Sequence, residues 1–273
     1  MKVQELLCRL QTRLPLHWAE EWDNSGLLLG FPEDPVRRVA VALDPDLETL
    51  RRAVEAGANV LVTHHPLILS PVRQILSDRS PGEEIAFALA NGLALIALHT
   101  NWDAAPGGMN MSLSRSIGLR DPLPLIPSER GAWGTGAAGE LPEILPAWQW
   151  AGKIRDSLSL SRLEAYGDAD RPVKRLALCG GSGGSLWRDA LASGAQVYFT
   201  ADMKYHERLD ACRSGLILFL ADHGEMESLS LPDLAECISE ELEERAVLLP
   251  FSPLERRVFS RDLTPQHSRG EKA

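Results

Sequence analysis

Val3, Leu6, Leu7 and Leu10 repeat at i, i+3, i+4 and i+7, the spacing of an amphipathic helix that must end before Pro15. Further on, the pattern changes to short strands dominated by continuous apolar runs at 36–43, 60–63 and 93–98, as strands covered on both faces require. Helix-length segments separate them. One runs over about 47–56 and is closed by Gly57; the other opens on Pro81-Gly82-Glu83-Glu84 and ends near Asn91-Gly92. This β-α-β-α-β order predicts an α/β fold with a mostly parallel sheet. The turn-rich Trp22-Asp23-Asn24-Ser25-Gly26 precedes a further short strand; Asp23 and Asn24 read there as turn caps, with support of a neighbouring site as the alternative.

A helix over 109–117 leads to a stretch, 121–139, broken by Pro122, Pro124, Pro127, Gly131, Gly134, Gly136 and Gly139, which reads as a linker or domain crossing. A second α/β run follows: helix 148–158, strands 163–166 and 173–178, helix 186–192, strand 197–200, helix 207–213 and strand 216–220. Helix 234–244 and strand 246–249 close it. The expected organisation is a metal-binding α/β domain over 1–125 plus about 222–257, a second α/β domain over about 126–221, and a disordered polar tail over 258–273.

The chemistry concentrates where strands end. Asp44, His64-His65 and His99 with Asp103 all follow apolar runs, and in open α/β sheets ligands bind at the carboxyl ends of strands. Neighbouring side chains on extended backbone point to opposite sides, so His64 and His65 suit two adjacent ions better than one. A hydrogen-bonding loop pair is the plainer reading of that dipeptide alone. His223 and Glu227 are spaced i, i+4 and face one way on a helix. The combined donor set is His64, His65, Asp103, His223 and Glu227, with Glu227 as the bridging carboxylate. Mixed imidazole and carboxylate donors suit two divalent transition-metal ions, zinc, iron, manganese or nickel, better than calcium. Paired ions about 3.5–4 Å apart activate water and polarise a substrate oxygen, which points to hydrolysis. His99 is placed to orient Asp103 or a water. Lys204, Tyr205 and His206 are candidates for substrate contact or proton transfer, or they simply pack at a strand-to-helix junction. The turn at 180–184 matches neither dinucleotide nor P-loop patterns; it reads as a tight turn, with anion binding as the alternative.

The chain has 273 residues, a formal net charge of −10 and 44% hydrophobic residues. That balance argues against a broad phosphate-backbone surface and leaves no strong nucleic-acid signature. Cys8, Cys179, Cys212 and Cys237 form no C-x-x-C pair, which fits free thiols in a reducing compartment. The N-terminal residues lack a signal-peptide pattern and no apolar run approaches the ~20 residues of a membrane span, so a cytoplasmic protein is expected.

Five blocks carry a family likeness: Trp22-Asp23-Asn24-Ser25-Gly26-Leu27, Thr63-His64-His65-Pro66-Leu67-Ile68, His99-Thr100-Asn101-Trp102-Asp103-Ala104-Ala105-Pro106-Gly107-Gly108-Met109-Asn110, Thr200-Ala201-Asp202-Met203-Lys204-Tyr205-His206 and His223-Gly224-Glu225-Met226-Glu227. Together they resemble the Nif-three-like, YbgI-type family of GTP cyclohydrolase I type 2 homologues, over about residues 3–250. The resemblance implies two interlocked α/β domains, a dinuclear centre on the five donors above, and a toroidal homohexamer with its centres facing an internal cavity. Asp222 stands where relatives usually have Gly, and Trp102 is bulkier than usual there, an expected narrowing of the pocket. Two functions are compatible with these features. One is a metal-dependent hydrolase acting on a nucleotide or related heterocycle, GTP by family likeness. The other is a non-catalytic, metal-stabilised oligomeric scaffold.

Overall fold

The computed structural model describes residues 1–253; the expected tail over 258–273 lies outside the described residues. Helix α1 (Val3–Arg13) packs its apolar stripe inward, and the chain then builds β1 (Gly26–Leu29), β2 (Val39–Ala42), α2 (Leu47–Glu55), β3 (Val60–Thr63), α3 (Gly82–Ala90), β4 (Ala94–Ala97), α4 (Thr100–Ala104) and α5 (Met109–Ile117). Asp46 caps α2 by accepting the Thr49 N–H at 2.7 Å, so the Asp44-Pro45-Asp46 turn both ends a strand and starts a helix. Next come β5 (Arg120–Leu123), a small hairpin of β6 (Ile126–Pro127) and β7 (Gly134–Thr135), β8 (Ala137–Pro146), α6 (Ala147–Ser157), β9 (Leu163–Tyr166), β10 (Pro172–Leu178), α7 (Trp187–Ala192), β11 (Val197–Thr200), α8 (Tyr205–Arg213) and β12 (Ile217–Ala221). The described chain closes with α9 (His223–Ser228), α10 (Leu231–Ser239) and β13 (Val247–Leu248).

One sheet has the order β1-β4-β3-β2-β13, the other β5-β8-β10-β11-β12-β9. In the first, β4, β3, β2 and β13 run parallel and only β1 is antiparallel. The second is parallel at its centre, β10-β11-β12, with antiparallel strands toward both edges. Strand residues alternate between faces. Val39, Val41, Val60 and Val62 of the first sheet share one core with Leu176, Leu178, Phe199 and Phe219 of the second and with α1, α5, α6 and α10. The opposite faces are covered separately. Ala40 and Leu61 pack with Leu50 of α2 and Ala88 of α3, while Tyr198 and Leu218 pack with Ala190 of α7 and Ala211 of α8. Both sheets are therefore covered on both faces, which is why their strands read as apolar runs.

The stretch 121–139 is not a plain linker. It holds β5, the hairpin and the start of β8. Pro and Gly masked these strands for specific reasons. Pro142 falls between Glu140 and Leu145, where the pairing of β8 with β10 changes register, so its missing N–H costs little. At Gly139 an added Cβ would sit 2.9 Å from the Arg120 carbonyl oxygen of the paired strand. The last helix also differs from the expected 234–244. It starts at Leu231 and ends at Ser239, whose hydroxyl accepts the Ala246 N–H at 3.0 Å. Four acidic residues at 240–244 oppose the negative end of a helix dipole, which favours that early stop.

Helix α6 offers a small test. An added Cβ at Gly152 would meet nothing within 4 Å. Gly152→Ala is expected to stabilise by roughly 0.5–1 kcal/mol in a denaturant titration, the ordinary gain of Ala over Gly inside a helix.

Candidate metal centre

The strand pairing runs past the end of β3. His64 N–H donates to the Ala42 carbonyl at 3.1 Å and His65 N–H to the Leu43 carbonyl at 2.9 Å. The backbone is thereby fixed where the two imidazoles begin. His64 is buried, its Nδ1 3.2 Å from the Leu98 carbonyl oxygen. His65 is half-buried, its Nδ1 2.7 Å from Asp44 Oδ1. The rings lie 5.0 Å apart and both face Glu227: His64 Nε2 is 3.6 Å from Oε1 and His65 Nε2 is 2.8 Å from Oε2. Asp103 comes from α4, just after β4, with Oδ1 3.6 Å from His64 Nε2.

The remaining donors follow β12 of the other sheet. Asp222 caps α9 by accepting the Glu225 N–H at 3.2 Å, which places His223 at the helix start and Glu227 one turn on. His223 Nδ1 lies 2.7 Å from Asp202 Oδ2 and its Nε2 lies 3.0 Å from Glu227 Oε1. The glycine-rich turn after β10 closes over the same point. Gly181 has φ +62°, and a Cβ there would lie 2.1 Å from Glu227 Oε1.

Every imidazole in the cluster is held at Nδ1, which leaves Nε2 facing inward. His64 Nε2, Asp103 Oδ1 and Glu227 Oε2 are buried without a hydrogen-bond partner. The His65–Glu227 contact is short, yet that Glu227 oxygen has no hydrogen-bond partner. An unsatisfied buried polar atom costs about 1–3 kcal/mol, and several at one point match a cation that their lone pairs would share. Donor atoms of His65, His223 and Glu227 all lie within 4.8 Å of one another, as do those of His64, His65 and His99. These histidine and glutamate groups fit a metal ion. His99, expected to orient Asp103 or a water, also brings a ring nitrogen within that distance of His64 and His65.

The electrostatics agree. Burial opposes charge on the imidazoles, yet the surrounding carboxylates outweigh it. Asp44 and Glu227 lift His65 to about 10, Glu227 and Asp202 lift His223 to about 9, and Asp103 and Glu227 lift His64. Burial raises the Asp103 carboxyl to about 6, against the pull of His64 and with the push of Glu227. Burial also disfavours the Glu227 carboxylate, but His64, His223 and His65 hold it well below its ordinary value. The pocket is thus a strong negative field that demands positive charge.

Asp23 does more than cap a turn. Its side chain is fully buried; Oδ1 lies 2.8 Å from His99 Nδ1, and Oδ2 accepts from Thr100 N–H, Thr100 Oγ1 and Ser25 Oγ. Burial would raise its pKa, but these bonds, led by that of His99, hold it well below the usual carboxylate range. Trp102 does not narrow the pocket. It is buried in the core and donates Nε1–H to Ser230 Oγ at 3.1 Å. Lys204 and His206 are exposed where β11 meets α8. Lys204 lines a neighbouring cavity with Ser182 and Ser185, and His206 packs edge-on against Tyr205. Asp103, His223 and Glu227 line a cavity of about 410 Å³, together with Trp22, His99, Cys179 and Ser182.

Asp44 is about half exposed and touches the cluster only through His65. Asp44→Ala is expected to weaken metal affinity about 10- to 100-fold, the usual effect of losing a carboxylate behind a metal-binding imidazole, while the circular dichroism spectrum stays unchanged. A competition titration against a chelating dye measures it.

Fold and site together define an α/β protein whose two sheets meet at a buried histidine–carboxylate cluster suited to metal. The family model described as Duf34/NIF3 (NGG1p interacting factor 3) matches residues 1–256, and the chain belongs to that family. A Clostridium perfringens protein named GTP cyclohydrolase 1 type 2 homolog is 30% identical over 248 residues, covering 89% of this chain and 93% of that protein. A Streptomyces coelicolor protein of the same name is 33% identical over 210 residues, 75% of this chain and 74% of its own length. The crystal structure of a Bacillus cereus protein related to NIF3 superposes with a TM-score of 0.88 at 23% identity, covering 95% of this chain and 99% of that one, and shows the same fold. Among the described residues no helix is long and apolar enough to cross a membrane.

Proposed function

We propose that His64, His65, Asp103, His223 and Glu227 hold two divalent transition-metal ions per chain, and that the protein is a cytoplasmic metal-dependent hydrolase of a nucleotide or related heterocycle. GTP, suggested by the names of its relatives, is the first substrate to try. The observation that carries this reading is the convergence of three partnerless buried atoms, His64 Nε2, Asp103 Oδ1 and Glu227 Oε2, from two different sheets. Bound there, such ions supply Lewis acidity and lower the pKa of a nearby water. The chain's own part is to orient and exclude. Leu98, Asp44 and Asp202 fix the imidazole tautomers by accepting at Nδ1. His99, anchored by Asp23 and facing the cavity, is the group placed to take or return a proton.

Metal analysis of protein purified without added metal should find close to two ions per chain, and GTP turnover should vanish in Asp103→Ala. Two bound ions with no turnover of any nucleotide would favour the scaffold. One observation supports that second reading: His64, His65 and Asp103 follow strands of one sheet, while His223 and Glu227 follow a strand of the other. An ion held between them would staple the two.

We also propose a homohexamer. The family likeness suggests it, and Leu123, Ile144 and Trp148, exposed by 67%, 63% and 54%, are apolar groups that such an assembly could bury. Sedimentation should give six times the 29.9 kDa chain mass; a monomer would end this reading.

A further inference from the structure

Trp22 is 61% exposed although it is among the most apolar side chains of the molecule, and its backbone is held rigidly. The turn Glu20–Asp23 closes through Asp23 N–H to the Glu20 carbonyl at 3.0 Å. Thr100 fastens both ends: Glu20 N–H donates to its Oγ1 at 2.9 Å, and that hydroxyl donates to Asp23 Oδ2. The indole meets the His99 ring edge-to-face at 5.9 Å, which leaves most of its surface free. It lines the same cavity as Asp103, His223 and Glu227. Nothing in the sheet packing needs an aromatic there, since the neighbouring Asp23 makes the structural bonds. An indole carried on a backbone fixed in this way offers a planar ring a stacking face, and an aromatic face accepts any base by stacking. Glu20 and Thr135, joined by a 3.4 Å hydrogen bond, line the same cavity and offer polar atoms to the edge of a ring.

We propose that Trp22 is the specificity-determining residue of the site: it stacks a planar nitrogen heterocycle, a nucleobase or a close relative, and holds it over the histidine–carboxylate cluster. This rests on the hydrolase reading above and adds to it the residue that selects the substrate class. A stack of one base on one aromatic side chain is worth a factor of about 5 to 150 in affinity.

The test is calorimetric titration of the purified, metal-containing protein with guanosine, with ribose as the ring-free control. Wild type should bind guanosine and not ribose. Trp22→Ala should lose at least about fivefold in guanosine affinity, and Trp22→Phe, which restores a stacking face, should recover most of it. All three proteins should keep the same metal content and the same sedimentation coefficient. Failure of wild type to bind guanosine, or equal affinity in wild type and Trp22→Ala, overturns the assignment. So does a change in assembly in Trp22→Ala, which would make the indole a subunit contact, or a loss of metal, which would make it a scaffold residue. The hydrolase reading stands or falls elsewhere, on metal content and on turnover in Asp103→Ala.

Discussion

Glu227→Ala is expected to leave the purified protein with well under one metal ion per chain, against the close to two proposed for the wild type. The carboxylate lies at the centre of the cluster, 4% exposed, with His65 Nε2 on one oxygen at 2.8 Å and His223 Nε2 on the other at 3.0 Å. Among the described residues no other acid is placed to replace it. Asp103 approaches His64 alone among the imidazoles at 3.6 Å, and Asp44 and Asp202 are already committed to the far nitrogens of His65 and His223. Removing one partner of a buried charged set costs about 3–5 kcal/mol, because the remaining groups stay buried and uncompensated. In affinity that is roughly a factor of 100 to several thousand. Glu227→Gln keeps the volume and one acceptor oxygen, and it is expected to retain part of the metal. Inductively coupled plasma mass spectrometry on both variants, with gel filtration to verify the fold, makes the measurement. Two ions per chain in Glu227→Ala would remove the ligand set from consideration.

The cluster was legible in the sequence because α/β sheets deliver residues at the ends of apolar strands to one rim. His64, His65, Asp103, His223 and Glu227 meet in space for that reason. Asp23 was harder to read. It sits in a turn-rich run whose local chemistry explains an Asp without any site, and only the long-range bond to His99 distinguishes it. Trp102 misled for the opposite reason. Its neighbours His99 and Asp103 face the cavity, but α4 turns the indole to the other side, into the core. β8 was hidden because Gly139 and Pro142 are breakers in isolation, whereas the fold uses one for a close strand contact and places the other at a register shift. His99 shows the limit of spacing alone. Its position after β4 marked it as near the site, but only the ring geometry puts a nitrogen among the donors.

Gly181→Ala is expected to damage stability and metal binding together, although the substitution is a single methyl group in a loop. Two independent effects coincide. The residue has φ +62°, where an L side chain costs about 1–2 kcal/mol. The new Cβ would also stand 2.1 Å from Glu227 Oε1 and 3.1 Å from His223 Nε2. Glu227 has little room to retreat, since it is buried and its other oxygen already abuts His65. Overpacking of this kind adds about 1–3 kcal/mol. The total, about 2–5 kcal/mol, should lower the melting temperature on the order of 10 °C in a protein of this size, and displacement of the carboxylate should lower metal content as well. A double-mutant cycle separates the two effects. In a Glu227→Ala background the 2.1 Å clash is gone, while the backbone strain and the 3.1 Å approach to His223 Nε2 remain, so the second substitution should cost about 1–3 kcal/mol less than it does in the wild type. Both arms are measured on metal-free protein in chelator, which keeps ion binding out of the cycle. Additive costs would mean that the turn does not press on Glu227, and that the glycine serves the backbone conformation alone.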